Sequence, residues 1–230
     1  MIFPVAAVGV SILGGIVHGA FHRNSKVFGP VLGHLPSSRR EVSLTFDDGP
    51  NPDATPRILD TLAEFGVRAT FFILGAHAER WPELVHRVVA EGHQIGNHGY
   101  FHRKLHLKSP FYVKRDLTLG KRAIERAGAH APRFFRAPHG FRSPWVSAIA
   151  GSMGERTVGW SLGVWDSDRP GVDAIVARTL EGTRPGSIIL LHDGDGYNAN
   201  GDRMQTAAAL PGIITGLRDR GFEFVTLPAQ

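Results

Sequence analysis

The chain has 230 residues, 42% of them hydrophobic and 20% charged, and no cysteine. That is enough apolar sequence for one compact core, near the upper end for a single domain, and the absent thiols exclude structural disulfides, thiolate metal sites and cysteine nucleophiles. A formal net charge of +5 and a pI of about 10.0 suit a polyanionic surface such as a cell wall or anionic lipid, but no basic run carries interleaved aromatics, which excludes a nucleic-acid partner.

No Asp, Glu, Lys or Arg precedes Arg23, and residues 2–17 are apolar. The stretch over residues 2–21 approaches the ~20 residues that cross a bilayer. Three readings stand: an uncleaved membrane anchor, a signal segment without the usual positive start, and a hydrophobic arm packed on the domain. The first two put the chain outside the cytoplasm, anchored or secreted. Counted by the positive-inside rule, Arg23, Lys26, Arg39 and Arg40 instead favour a cytoplasmic, membrane-associated body. Residues 1–39 are accordingly set apart as an apolar segment plus loop, and 40–230 as one domain.

Short β-rich runs then alternate with amphipathic ones. Val42–Phe46 reads as a strand. Thr55 is placed as the N-cap of a helix with Pro56 in its first position, an apolar stripe Ile58, Leu59, Leu62 and Phe65, and Gly66 as terminator. Ala69–Leu74 is a strand, and Pro82–Ala90 a helix with Leu84, Val85, Val88 and Val89 inward. Gln94–Gly96 is a short strand running into His98, and a helix spans about Tyr112–Arg126. Arg133–Arg136 is a strand, Ser143-Pro144 opens a helix, and Arg156–Leu162 is a strand. A helix over Val172–Leu180, the apolar strand Ser187–Leu191, a helix over about Thr206–Arg220 and a strand Glu223–Leu227 complete the chain. This alternation implies an α/β fold with parallel strands covered by helices.

The chemistry-bearing residues share one position. Asp47-Asp48, His98, Arg136, Asp166 and His192 all fall at or just past the C-terminal end of a predicted strand, and in a parallel barrel those ends form one rim. Adjacent carboxylates repel, so Asp47-Asp48 at the end of an apolar strand calls for a nearby cation. His98 and His102, four apart, are its co-ligands, lying on one face if the segment is a helical turn. One carboxylate and two imidazoles leave coordination positions for water and substrate, as in a hydrolytic metal centre. One of the two acids should bind the metal and the other take a proton from water. Arg136, after two phenylalanines, wants a carboxylate partner, and Asp47 is the natural one. His192, ending the most apolar strand, can protonate a leaving group.

These motifs resemble those of the polysaccharide deacetylases, also called carbohydrate esterase family 4 or the NodB-homology domain. Thr45-Phe46-Asp47-Asp48-Gly49-Pro50 is similar to the family's first motif, His98 to His102 to the second, Arg136 to Gly140 to the third, the Trp165-Asp166 region to the fourth, and Leu190-Leu191-His192 to the fifth. The resemblance covers about residue 40 to the end. It implies a distorted (β/α) barrel of seven or eight mostly parallel strands, with a divalent metal, zinc first and cobalt, nickel or manganese as alternatives. It makes Asp48, His98 and His102 the ligands, Asp47 the general base held by Arg136, and His192 the general acid oriented by Asp166. It also assigns the backbone N–H of His139 to the oxyanion, Leu190 to the acetyl methyl, and Trp165 to an aromatic wall. The implied reaction removes N-acetyl groups from N-acetylglucosamine units of a cell-wall or chitin-like polymer or oligosaccharide. The same centre could serve acetyl esters of xylan or an amide on a lipid-linked sugar, and a non-catalytic carbohydrate-binding module is the rival from another class. Two departures stand out. Gly99 replaces the usual Ser or Thr after the first histidine, and Gly163 and Ser167 replace an acid and a tryptophan in the fourth motif, so Asp168 competes with Asp166. The sequence carries no mark of oligomeric state.

Overall fold

A computed structural model describes residues 13–228, and the strand β1 (Glu41–Asp47) lies at its centre. Side chains of a strand alternate between faces. Val42, Leu44 and Phe46 enter the main core beneath the helices, which leaves Ser43, Thr45 and Asp47 on the opposite, inner face. The sheet runs in the order β5 (Arg156–Thr157), β4 (Phe134–Phe135), β3 (Gln94–Asn97), β2 (Thr70–Ile73), β1, β7 (Ile188–His192) and β6 (Leu162–Gly163). A further strand, β8 (Glu223–Phe224), pairs with Glu41 and Val42 at the start of β1. Every pairing is parallel, so each crossover must return across a face, and helices do this. The result is the distorted (β/α) barrel expected from the sequence.

The helices are α1 (residues 13–21), α2 (Ala54–Glu64), α3 (Gly75–Arg80), α4 (Pro82–Ala90), α5 (Pro110–Arg126), α6 (Pro144–Ser152), α7 (Val172–Gly182) and α8 (Met204–Asp219). Proline opens α4, α5 and α6, where its missing N–H costs nothing; Ser109 caps α5 by accepting from Tyr112 N at 3.3 Å. Ile58, Leu59 and Leu62 of α2 and Ile213, Ile214 and Leu217 of α8 are fully buried in the same core, each contributing ~1.5–3 kcal/mol by its removal from water. A second cluster, Leu32, Leu35, Phe72, Phe134, Val158, Ile188 and Leu227, fills the barrel interior below the rim.

Several elements differ from expectation. Helix α2 starts at Ala54 with Asp53 at its N-cap. Thr55 is not the cap: it lies inside the helix with its hydroxyl donating to Asp193 Oδ2 at 2.6 Å, while Asn51 Oδ1 accepts from Ala54 N at 2.9 Å. Only Val85 and Val88 of α4 are fully buried, with Leu84 and Val89 half-buried. The single strand expected over 156–162 is two, β5 and β6. Between them the chain bends away to meet residues 31–35, where Leu32 bridges Val158 and Leu35 N donates to Gly186 O at 2.9 Å. Helix α3 has no counterpart in the sequence reading.

The membrane-length stretch expected over residues 2–21 falls largely on residues 1–12, outside the described chain. Among the described residues no helix is long and apolar enough to cross a membrane. Residues 20–25 lie against the barrel: Arg142 N donates to Ala20 O at 3.0 Å, and Arg23 Nε to Trp160 O at 2.8 Å.

Candidate active site

The loops above the strand ends enclose a cavity of about 580 Å³ lined by Asp47, Asp48, His98, His102, Asp166 and His192 among others. Asp47 is the last residue of β1. The next residue, Asp48, takes a left-handed conformation (φ 73°), which aspartate tolerates better than most side chains. The chain turns there, and the two carboxylates diverge. Asp47 Oδ1 accepts from Arg136 Nη1 at 2.7 Å. Asp48 Oδ1 instead lies 3.2 Å from both His98 Nε2 and His102 Nε2.

The imidazoles reach Asp48 from a loop, not the helical turn inferred from their spacing. Gly99 (φ 84°) reverses the chain after β3, and a Cβ there would lie 2.6 Å from Asp116 Oδ2. Asp116 occupies that space to accept from Tyr100 N and Phe101 N at 3.0 and 3.3 Å. A buried carboxylate from α5 thus ties the loop, so the hydroxyl that Gly99 lacks is not needed. Asn97 Oδ1 accepts from Gly99 N at 2.9 Å, while its amide donates to both oxygens of Glu155 at 3.1 Å.

The donor set fits a cation. His98 Nδ1 donates to Arg136 O at 2.8 Å, which leaves Nε2 with a lone pair toward Asp48. Burial holds the His102 imidazole at about 3, against the pull of Asp48, so it is neutral; for His98 burial is outweighed by Asp47 and Asp48, which raise its pKa, and a cation bound beside Asp48 would compete with that proton for Nε2. Asp48 Oδ1 is buried without a hydrogen-bond partner. Burial penalises its charge, but His102 and His98 outweigh that and hold the carboxyl well below the usual range. Two lone pairs and a bare carboxylate oxygen facing one point form a ligand set for a divalent ion. Asp48, His98 and His102 are the sole such group among the described residues.

Arg136 is fully buried, with Nη1 also donating to Thr45 Oγ1 and Nη2 to Gly159 O, both at 2.9 Å. Its guanidinium lies over the Phe72 ring at 4.1 Å. These contacts lock the cation that fixes Asp47. At the other edge, His192 Nδ1 lies 2.9 Å from Asp166 Oδ1, and His192 N and Thr206 Oγ1 both donate to Asp166 Oδ2 at 2.8 Å. Asp166, rather than Asp168, makes this contact. Burial disfavours a charged His192, but Asp166, with Asp48 and Asp47 beyond it, raises its pKa to about 9. With Nδ1 engaged, Nε2 is left for the cavity.

Leu190 is a register partner of Thr45 on the inner face, and both it and His139 line the cavity. His139 (φ 61°) and Trp165 (φ 58°) have left-handed backbones, a strain of ~1–3 kcal/mol each that clusters at functional sites. Trp165 is 69% exposed at the cavity rim. The sequence reading missed Tyr197, whose hydroxyl lies 2.9 Å from His139 Nε2; its place in the Gly- and Asn-rich loop after β7 was the available signal. It also missed Phe21, His22 and Arg23, which line the cavity from a stretch whose apolar composition suggested a membrane instead.

A barrel with an Asp-His-His pocket at its rim and an acid-base pair beside it defines a metal-dependent hydrolase. The chain belongs to the polysaccharide deacetylase family, whose model matches residues 34–158. It is 47% identical over 193 residues to a chitooligosaccharide deacetylase of Sinorhizobium fredii, covering 81% of this chain and 90% of that one. It is 38% identical over 204 residues to a peptidoglycan-N-acetylglucosamine deacetylase of Bacillus cereus, covering 86% and 92%. Among solved structures it is similar to the Bc1960 peptidoglycan N-acetylglucosamine deacetylase, with a TM-score of 0.80 and 35% identity over 86% of this chain and 91% of that one.

Proposed function

We propose that this chain removes N-acetyl groups from N-acetylglucosamine units of an oligosaccharide or cell-wall polymer, outside the cytoplasm, with zinc held by Asp48, His98 and His102. The observation that carries this reading is the convergence of Asp48 Oδ1 with His98 Nε2 and His102 Nε2 at 3.2 Å, in the same cavity as Asp47 and His192. Both relatives described above are named for deacetylation of such sugars. In this reading the catalytic domain takes in residues 22–39, since Leu32 and Leu35 complete the barrel interior.

A zinc ion held by Asp48, His98 and His102 would supply Lewis-acid chemistry, favouring attack of water on the amide carbonyl. Asp47, held by Arg136, takes the proton of the water that adds to the carbonyl carbon. The N–H of His139, on the rim, donates to the developing oxyanion. His192, protonated at neutral pH, gives its Nε2 proton to the departing nitrogen as the C–N bond breaks. Acetate and a free amine result. Leu190 faces the methyl of the acetyl group, and Trp165 offers its exposed ring to the sugar.

The test is acetate release from N-acetylglucosamine oligomers, from peptidoglycan and from acetylated xylan by the zinc-loaded chain. Release from the amide substrates at least tenfold above xylan supports the reading, whereas release from xylan alone replaces it with an esterase.

A further inference from the structure

Phe21 lines the catalytic cavity and is 54% exposed, although it lies upstream of the family-matched residues 34–158. Its ring ends a row that starts at the metal pocket. His102 lies tilted on His139 at 4.4 Å between centroids, His139 stacks on Phe141 at 5.8 Å, and Phe141 meets Phe21 edge to face at 5.2 Å. An apolar ring left open in a cleft, in line with others, suits a ligand with a flat apolar face, and the C–H faces of pyranose rings are such surfaces.

The segment carrying Phe21 is held in place from two sides. Arg142 is almost completely buried at 1% exposure. A buried guanidinium is costly unless its N–H groups are satisfied; Nε has no partner among the described residues, no carboxylate is among the partners of the rest, and the Nη groups turn to backbone carbonyls and one hydroxyl. Arg142 Nη2 donates to Ser25 O at 2.7 Å and to His22 O and Arg23 O at 3.4 and 3.5 Å, Nη1 to Ser147 Oγ at 3.5 Å, and its backbone N to Ala20 O at 3.0 Å. From the other side, Arg23 Nε and Asn24 Nδ2 both donate to Trp160 O, at 2.8 and 2.9 Å. A cation buried chiefly against the carbonyls of 22, 23 and 25 pre-organises this stretch against the rim, and pre-organisation lowers the ordering cost of binding.

We infer that Phe21, presented by residues 20–25 and continued by Phe141, forms a sugar-stacking subsite for a neutral saccharide unit beyond the one being deacetylated, so that the working enzyme retains this N-terminal segment. The inference rests on the proposed activity for its substrate class, but the fit of the ring to a sugar can be measured without turnover.

The experiment compares the unchanged chain with Phe21→Ala, with Phe21→Trp as the conservative variant, and with Phe111→Ala, an exposed ring outside the cavity, as control. Kinetics are read on N-acetylglucosamine dimer and hexamer. Phe21→Ala is expected to raise KM for the hexamer about tenfold, the loss of ~1.4 kcal/mol of binding, with much smaller effects on hexamer kcat and on dimer KM. Phe21→Trp restores the hexamer KM, and Phe111→Ala does not change it. Calorimetric binding of the hexamer to Asp47→Asn, with and without Phe21→Ala, reports the subsite even if no sugar is deacetylated. In that case the activity reading fails alone, and a tenfold weaker Kd on loss of the ring still supports the subsite. Hexamer KM and Kd unmoved by Phe21→Ala, equal losses on dimer and hexamer, or no hexamer binding by Asp47→Asn would each overturn it.

Discussion

Asp47 and His192 are register partners across the β1–β7 pair. One rung of a parallel ladder therefore ends in a carboxylate on one strand and an imidazole on the next. Each has its own orienting partner, Arg136 at 2.7 Å and Asp166 at 2.9 Å. In the proposed reaction, the separation of the proton acceptor from the proton donor is thus set by strand pairing, the most rigid spacing the fold offers.

Replacing Asp47 by Asn keeps its shape and removes its basicity. Asp47→Asn should lower kcat by about 10²–10⁴ while binding one zinc per chain, as read by metal analysis alongside steady-state rates. Near-normal turnover would remove Asp47 from the role of base.

Metal removal should separate stability from chemistry. A chelator should abolish acetate release and lower Tm, with both restored by added zinc; saturation at a hundred times Kd stabilises a fold by ~2.7 kcal/mol. Asp48→Ala and His98→Ala should lose the stoichiometric ion and the zinc-dependent rise in Tm. A Tm insensitive to zinc in the unchanged chain would argue against a structured ion at these residues.

The His192–Asp166 pair predicts an alkaline limit. His192 must be protonated to act as acid, and its pKa is raised to about 9 against the cost of burial. Activity should hold through neutral pH and fall as pH rises toward that value, at a somewhat lower pH when a bound cation neutralises Asp48. The same pair contributes stability that is full below the ordinary histidine value, ~6.5, and is lost as pH passes the raised one. Asp166→Asn removes the largest of the charges that oppose desolvation, so the limb should move to lower pH. A pH–rate profile with the limb unmoved would sink the assignment.

Glu155 gives a stability prediction away from the chemistry. Burial raises its carboxyl to about 8, despite the hydrogen bond from Asn97. The folded state then holds a proton that the unfolded state releases at ~4.3, so stability falls as pH rises between those values. Glu155→Gln removes that penalty and keeps an acceptor for Asn97. Its Tm should match the unchanged chain near pH 5 and exceed it at pH 8–9, measured by thermal melts across that range.

Much of this was legible because the fold repeats one local rule. The alternation in Val42–Phe46, the Pro-opened helices at Pro82 and Pro144, and the acids and imidazoles at strand ends are local patterns, and a parallel barrel gathers strand ends without further information. What was hidden depended on long-range contacts. Helix α3 is a six-residue helix without an apolar stripe, too short for periodicity to register. Thr55 lost its expected cap role because its hydroxyl donates to Asp193 Oδ2 at 2.6 Å, a contact across 138 positions. The spacing of His98 and His102 suggested a helix; Gly99, just past β3, and the Asp116 carboxylate, sixteen positions beyond Tyr100, made it a loop. The choice between Asp166 and Asp168 needed the position of β7.

The stretch Leu32–Leu35 enters the sheet where β5 and β6 part, joining Val158 on one side and Gly186 on the other. It acts as the keystone of the barrel. A fragment begun at β1 would lack it, and Phe72, Phe134 and Ile188, now sealed beneath the rim, would face solvent through the gap. Such a fragment could keep all five sequence motifs and still aggregate, because the seam that protects its interior is contributed by residues ahead of the first motif.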